Sequence, residues 1–419
     1  MSGSGFLERL LDGAAAEWVS LGKVAEYSKA RIASNQLDES SYVGVDNLVQ
    51  NRGGRVDSKY VPTSGNLTGF REGDVLIGNI RPYLRKIWLA DRTGGTNGDV
   101  LVIHPTDDIV SSRYLYQVLS DEKFFEYNIQ HSKGAKMPRG SKSEIIKYLI
   151  PIPCPDNPKK SLAIQAEIVR ILDAFTELAV ELAVELAARK KQYNHYRDQL
   201  LSFEGDDVEW KTLGDPNIGA FTRGGGLQKK DFTDAGVPCI HYGQIYTYYG
   251  TSADKTKSFV TVDFAKKARK AKSGDLVIAT TSENDDDVCK AVAWLGPEDI
   301  VVSSDACFYT HNLNPKYVSY FFQTEQFQKQ KRGYITGTKV RRVNADDLAK
   351  IKIPIPFPND PAKSLAEQAR IVAILDRFDT LTTSLSEGLP REISLRQKQY
   401  EYYRDLLLNF PKTAEVVET

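Results

Sequence analysis

Ile150-Pro151-Ile152-Pro153-Cys154-Pro155-Asp156 opens a helical run from Ser161 to Phe203, and Ile353-Pro354-Ile355-Pro356-Phe357-Pro358-Asn359 opens a second from Ser364 to Phe410. Ser161, Gln165, Ile168, Leu172 and Asp173 recur as Ser364, Gln368, Ile371, Leu375 and Asp376, each 203 positions later. Further on, Gln192, Tyr193, Tyr196, Arg197, Asp198, Leu200 and Phe203 recur as Gln399, Tyr400, Tyr403, Arg404, Asp405, Leu407 and Phe410 at an offset of 207. The second run therefore carries four additional residues. So many ordered matches mark an internal duplication.

The period of the first run predicts a long helix with one apolar seam. Ile168, Phe175, Leu182 and Tyr196 lie on one heptad track, and Leu172, Leu186, Tyr193 and Leu200 on the other. Forty-odd residues at about 1.5 Å each make a rod of about 60 Å, longer than one compact domain needs. A surface helix packed on its own domain is the alternative. The second run supplies a partner rod, with Ile371, Leu375, Phe378, Leu385, Tyr400, Tyr403 and Leu407 on its seam. Gly388 and Pro390 interrupt it, and four inserted residues are a stutter. The pattern predicts two unequal helices paired as an antiparallel coiled coil, with a kink near 388–390.

Upstream of each rod lies a matching globular segment. Glu17, Trp18, Leu21 and Gly22 recur as Glu209, Trp210, Leu213 and Gly214, 192 positions later. Gly73-Asp74-Val75-Leu76-Ile77 and Gly274-Asp275-Leu276-Val277-Ile278 both read as a turn feeding a buried strand. Tyr42–Leu48 and Cys239–Ile245 both read as strands before a polar loop. Third strands follow at Asp99–Ile103 and Ala306–Tyr309, then short helices at Ser112–Asn128 and Pro315–Lys329. The fold class predicted is α+β: two tandem, mostly-β domains with short helices, separated and followed by long helices, in a pseudo-twofold, circularly closed repeat. The segments are 1–16 (helical, packing near the C-terminal rod), 17–160 (first domain), 161–207 (central helix), 208–363 (second domain), 364–410 (C-terminal helix) and 411–419 (disordered tail).

Composition excludes several classes. The 419 residues suit two or three domains, and 55 Lys+Arg against 55 Asp+Glu give no net charge, which leaves room for a local basic groove. The four cysteines, Cys154, Cys239, Cys289 and Cys307, form no CxxC pair. The longest apolar stretch, 174–188, is broken by Glu177, Glu181 and Glu185, so no membrane span is expected and a cytoplasmic protein is. Arg223-Gly224-Gly225-Gly226 lacks the lysine-serine pair and the helix of a phosphate loop. The histidines have no metal-ligand spacing. Neither a catalytic set nor a metal site is expected.

The two globular copies agree at their ends and differ in the middle, so one scaffold carries two unlike surfaces. Gly134-Ala135-Lys136-Met137-Pro138-Arg139 does match Gly337-Thr338-Lys339-Val340-Arg341-Arg342. In the first copy Arg52, Arg55, Arg81, Tyr83, Arg85 and Lys86 offer phosphate contacts and guanidinium forks for base edges, and Lys136 and Arg139 offer phosphate clamps. In the second, Arg223, Lys229, Lys230, His241, Tyr242, Gln244, Tyr248, Lys339, Arg341 and Arg342 are the equivalents. Each could equally be a solvated surface group; the repeated loop positions carry the signal.

With the duplicated unit in view, the chain resembles the specificity subunits of type I restriction-modification systems. Glu-Trp-x-x-Leu-Gly at Glu17 and Glu209, Gly-Asp at Gly73 and Gly274, and Gly-x-Lys at Gly134 and Gly337 fit that family. So does Ile-Pro-Ile-Pro followed by Gln-x-x-Ile-Val from Gln165 and Gln368. The resemblance implies a non-catalytic reader of double-stranded DNA, with an asymmetric bipartite target, one half-site per domain and a spacer set by the helices. It implies two methyltransferase subunits and restriction/translocase subunits as partners. S-adenosylmethionine, ATP and Mg would be bound there and no cofactor by this chain. A coiled-coil assembly scaffold with two protein-binding domains is the alternative, and a fused enzyme a third.

Overall fold

The computed structural model describes residues 15–203 and 207–410; of the expected helical segment 1–16, residues 1–14 lie outside them and Ala16 begins a strand, and the expected tail 411–419 lies outside them as well. The chain divides into two compact units, one through Leu182 and again from Ile393, the other Ala183–Glu392. Three long helices belong to this division: a central helix Pro158–Leu200, a second helix Pro361–Thr383 and a C-terminal helix Leu389–Leu408.

Each unit is closed by its own first and last strands. In the first unit Ala16–Ser20 pairs antiparallel with Leu149–Pro153, placing Trp18 opposite Pro151. In the second Val208–Thr212 pairs with Lys352–Pro356, placing Trp210 opposite Pro354. The Ile-Pro-Ile-Pro alternation suits this pairing. Cys154 N–H donates to Ala15 O and Phe357 N–H to Asp207 O. With a period of two, Ile150 and Ile152 then also donate towards the partner strand, and the prolines face away with no N–H to lose. Ile150, Ile152 and Ile353 are fully buried. Cys154 (φ 47°) and Phe357 (φ 49°) both enter the left-handed region as the chain leaves the strand for its helix.

Past the first strand, the Leu-Gly pair needs its glycine. Gly22 N–H donates to Ile146 O and Gly214 N–H to Ala349 O, at 2.8 and 2.9 Å. A Cβ on Gly214 would lie 2.7 Å from Ala349 Cβ and 3.0 Å from its carbonyl oxygen.

Between these strands the first unit holds a four-stranded sheet in the order 25–27, 100–105, 75–78, 87–89, and a three-stranded sheet 31–33, 66–70, 94–96. The second holds a five-stranded sheet 219–223, 306–311, 276–279, 291–294, 252–253 and a four-stranded sheet 258–260, 237–240, 300–302, 270–271. The Gly-Asp turns are built alike. Gly73 and Gly274 have positive φ, and Asp74 and Asp275 accept from the backbone N–H three residues back, Arg71 and Lys272. Cys239–Ile240 is strand, but Tyr242–Thr247 is helix. Tyr42–Leu48 forms no strand, only isolated bridges at its two ends, Tyr42 to Gly95 and Leu48 to Arg55. Asn47 Oδ1 accepts Gly44 N–H and folds that segment into a turn, a competition that short polar side chains often win.

The long helices are fastened to their units by the residues that repeat. Gln165 Oε1 accepts Ser111 N–H, and its amide donates to Ile109 O and Ser161 Oγ. Gln368 Oε1 accepts Asn314 N–H and its amide donates to Ser364 Oγ. Asp173 receives Arg113 and Gln117; Asp376 receives Lys316 and Tyr320. Tyr114 and Tyr317 complete the frame by donating to Pro151 O and Pro354 O, both at 2.9 Å.

The helices also pack against one another inside each unit. In the first, Ile168, Leu172 and Leu407 share one core, and Phe175 stacks on Tyr403 with ring centres 5.2 Å apart. In the second, Tyr193, Ile371 and Leu375 share a core, and Tyr196 stacks on Phe378 at 5.5 Å. Leu385 departs from the expected seam: it is 81% exposed. Helix is lost between Thr383 and Leu389, where Ser384 Oγ accepts Ser386 and Glu387 N–H and forms a tight turn. A Cβ on Gly388 would lie 2.3 Å from Thr380 O, so the turn closes only on glycine.

Two outcomes are expected. Gly214→Ala forces the turn after strand 208–212 away from Ala349 and costs about 1–3 kcal/mol, the range for inserting a methyl group where there is no room, read as a lower melting temperature of the second unit. His311 ends strand 306–311, and burial pushes its imidazole down to about 4 from 6.5. Between these values the unfolded chain binds a proton that the native chain does not. Stability is therefore full above pH 6.5 and declines towards pH 4, by about 3 kcal/mol. Urea unfolding at pH 7 and 4.5 should show that decline, and His311→Asn should flatten it.

Candidate nucleic-acid interface

The variable loops of the first unit are laced together before any ligand arrives. Ile80 bridges to Arg139, and Arg81 N–H donates to Pro138 O at 2.7 Å, joining the 80–86 segment to the Gly134–Arg139 loop. That loop is a hairpin: Lys133 and Arg139 exchange backbone hydrogen bonds at 2.9 Å, Gly134 takes φ 101°, and Lys136 stands exposed at its tip. Arg139 is exposed and held by Asp99 at 3.0 Å. The second unit repeats this device. Thr281–Ser282 pairs with Arg341–Arg342, Thr336 and Arg342 exchange backbone hydrogen bonds, and Lys339 is exposed.

The remaining first-unit residues fall into two groups. Arg81 and Tyr83 are exposed on a turn whose flanking residues, Arg81 and Arg85, have φ of 53° and 50°. Arg52, Arg55, Arg85 and Lys86 are engaged within the unit. Arg52 and Arg85 both meet Glu122. Arg55 pairs with Asp57 and lies over the Trp88 ring at 5.4 Å. Lys86 is buried and donates to Val45 O at 2.7 Å. Burial opposes the charge on Glu122, yet the two guanidiniums hold its carboxyl below the ordinary value.

In the second unit His241 and Gln244 cap the helix Tyr242–Thr247 reciprocally: His241 Nδ1 accepts Gly243 N–H, and Gln244 Oε1 accepts His241 N–H. Burial, with Lys229 nearby, lowers the His241 pKa. Tyr242 lines a cavity of about 440 Å³ with Tyr246, Ser282, Asn284 and Val340. Tyr248, Arg223, Lys229, Lys230 and Arg342 are exposed. Tyr248 lies under Lys257, and Arg223 donates to Ser304 O. Arg341 is half-buried and pairs with Asp285 at 2.7 Å. Behind that aspartate is a residue that pattern reading passed over. Lys331 is fully buried, and its ammonium donates to Asp286 O and Val288 O. Burial pushes its pKa down, opposed by Cys289 and the three aspartates 285–287.

Positive groups therefore cluster on hairpins and turns, over loops unlike each other in the two units. Among the described residues no group of three or more His, Cys, Asp or Glu side chains could hold a metal ion, and no helix is long and apolar enough to cross a membrane.

The chain is 35% identical over 426 residues to the EcoR124I/EcoR124II type I restriction enzyme specificity subunit of Escherichia coli, spanning 99% of this chain and 100% of that protein. This chain belongs to the type I restriction-modification specificity-subunit family. The profile described as the type I restriction modification DNA specificity domain matches residues 207–395. The EcoprrI specificity subunit of E. coli is 34% identical over 241 residues, 51% of this chain and 57% of that protein. Among solved structures, a chain described under complex assembly and conformational transition of the type I R-M system matches with TM-score 0.64 and 16% identity, over 94% of this chain and 98% of that one. A type I restriction-modification S subunit from M. genitalium matches with TM-score 0.51 and 13% identity, over 96% and 98%. Both share the fold: β-rich domains with long helices that pack together. Specificity subunits are non-catalytic and supply the DNA specificity of their complexes.

Lys331→Met should release the Asp286 and Val288 carbonyls. Buried acceptors left unpaired cost about 1–3 kcal/mol, and limited proteolysis should cut the 283–287 loop of the variant faster than that of the native chain.

Proposed function

We propose that this specificity subunit reads an asymmetric, bipartite DNA target, one half-site with each globular unit, and that its long helices set the spacer. The observation that carries this reading is one duplicated frame presenting two unlike loop sets. The strands, Gly-Asp turns and Ser-Gln-Asp fastenings are shared, whereas Arg81–Tyr83 has no counterpart in the Thr281–Val288 loop.

In the first unit Arg81 and Tyr83 are the reading candidates, with Lys136 and Arg139 on phosphates. Arg52, Arg55, Arg85 and Lys86 support them from behind. In the second unit Tyr242, Tyr248, Arg341 and Arg342 stand nearest the variable loop, Arg223, Lys229, Lys230 and Lys339 supply phosphate contacts, and His241 and Gln244 hold the short helix. Exposed cations on double-stranded DNA release counterions, so binding should fall steeply with salt. A helical spacer plays the part that dimer geometry plays for symmetric readers.

The partners proposed are double-stranded DNA, two methyltransferase subunits and restriction/translocase subunits, in the cytoplasm. S-adenosylmethionine, ATP and Mg would reside on those partners. The target adenine has to leave the stack to be methylated, a task for the methyltransferase.

Modified-base sequencing of a methylation-free host tests this directly. With its methyltransferase partner, the chain should direct an adenine mark in one split, asymmetric motif, absent when either protein is omitted. Exchanging residues 42–139 for those of a relative should change one half of the motif; a change in both halves would contradict independent reading. Deleting one heptad between Ala179 and Leu186 should alter the permitted spacer; an unchanged spacer would sink the ruler. An active, co-purifying methyltransferase without any mark would favour a protein-binding scaffold.

A further inference from the structure

In the first unit a train of guanidinium contacts ties the exposed Arg81–Tyr83 turn to the C-terminal helix. Arg404 on that helix is buried, with Nη1 3.0 Å from Ser120 O and Nη2 2.7 Å from Gln117 Oε1. The same Ser120 carbonyl accepts Arg52 Nε at 2.5 Å. Arg52 Nη2 reaches Glu122 Oε2 at 2.9 Å, and its guanidinium lies over Phe125 at 5.6 Å. The other carboxylate oxygen, Glu122 Oε1, accepts Arg85 Nε at 2.9 Å and also its Nη2.

Two loops thus meet on one carboxylate, and their backbones are joined as well. Asn51 N–H donates to Leu84 O and Arg52 N–H to Arg85 O. Asn51, Arg52, Arg81 and Arg85 all have φ between 50° and 63°. Left-handed backbone is unfavourable at non-glycine residues and persists only where neighbours enforce it. Glu122 is the charge that both loops share. Without it, Arg52 keeps only the Ser120 carbonyl and the Phe125 ring, and Arg85 loses the carboxylate that its fork grips.

The second unit uses the matching residues differently. Arg197, the counterpart of Arg404, donates to Asn194 and Asp198 on its own helix. Glu325, the counterpart of Glu122, pairs with Lys329 one turn along. The arrangement belongs to one recognition surface.

We propose that Glu122 is a positioning residue for the first half-site: it holds Arg52 and Arg85 so that Arg81 and Tyr83 meet DNA in a single orientation, with Arg404 bracing the assembly from the helix. This rests on the DNA-reading function proposed above. Glu122 touches no base; it acts through the loop.

The test is Glu122→Gln in the full chain, expressed with its methyltransferase in a methylation-free host and read by modified-base sequencing. The half-site assigned to the first unit by the 42–139 exchange should lose tenfold or more discrimination at one or more positions, while the other half stays intact. Arg85→Lys, which keeps the charge and loses the fork, should relax the same half and decides the matter if Glu122→Gln fails to fold. Glu325→Gln should leave both halves unchanged. A merely structural role would lower the melting temperature and weaken marking at both halves alike, and that result overturns the proposal. So does an unaltered motif in folded Glu122→Gln. A native chain that directs no split mark overturns the DNA-reading function itself.

Discussion

The pairing of each unit's first strand with its last is the constraint on which everything else hangs. It brings Glu17-Trp18 against Pro151-Ile152 and Glu209-Trp210 against Pro354-Ile355, so residues some 130 positions or more apart in the chain close one domain. Ending on this strand also places the start of a long helix at a defined point on the domain. Proline serves well there because only one side of the strand is paired. A dipeptide repeat that looks like an irregular linker is the seam of the unit.

From that seam the helix is fastened by polar side chains, where an apolar contact alone would leave its rotation less defined. Gln165 and Gln368 each meet the backbone N–H that starts a domain helix, and Asp173 and Asp376 each take two donors from it. Hydrogen bonds are directional, so these contacts specify angle as well as position. The spacer role proposed for the helices would need that angular definition.

The two loop surfaces can differ because the frame does not depend on them. In the first unit guanidiniums converge on one carboxylate; in the second a buried ammonium, Lys331, holds the backbone of an acidic loop. Both solutions set an irregular loop on a rigid base, and both place a buried or half-buried charge among compensating partners, as the cost of burying charge demands. Several cations that composition alone would assign to DNA are engaged inside the protein, Lys86 on Val45 O most plainly.

Duplication, the β-rich units, the long helices and their apolar seams were legible in the order of residues, because heptad period and buried-strand pattern are local properties that burial imposes on any chain. The family resemblance rested on the same repeats. Other features depended on which distant residues meet. Tyr42–Leu48 reads as a strand until Asn47 caps Gly44, and Leu385 reads as a seam residue until Ser384 turns the chain. Glu122 reads as an ordinary surface carboxylate; its partners lie 37 and 70 positions away. Pattern records what a residue prefers over a few turns of chain. Which charges are spent on the protein, and which stay free for a ligand, follows only from long-range contacts that folding creates.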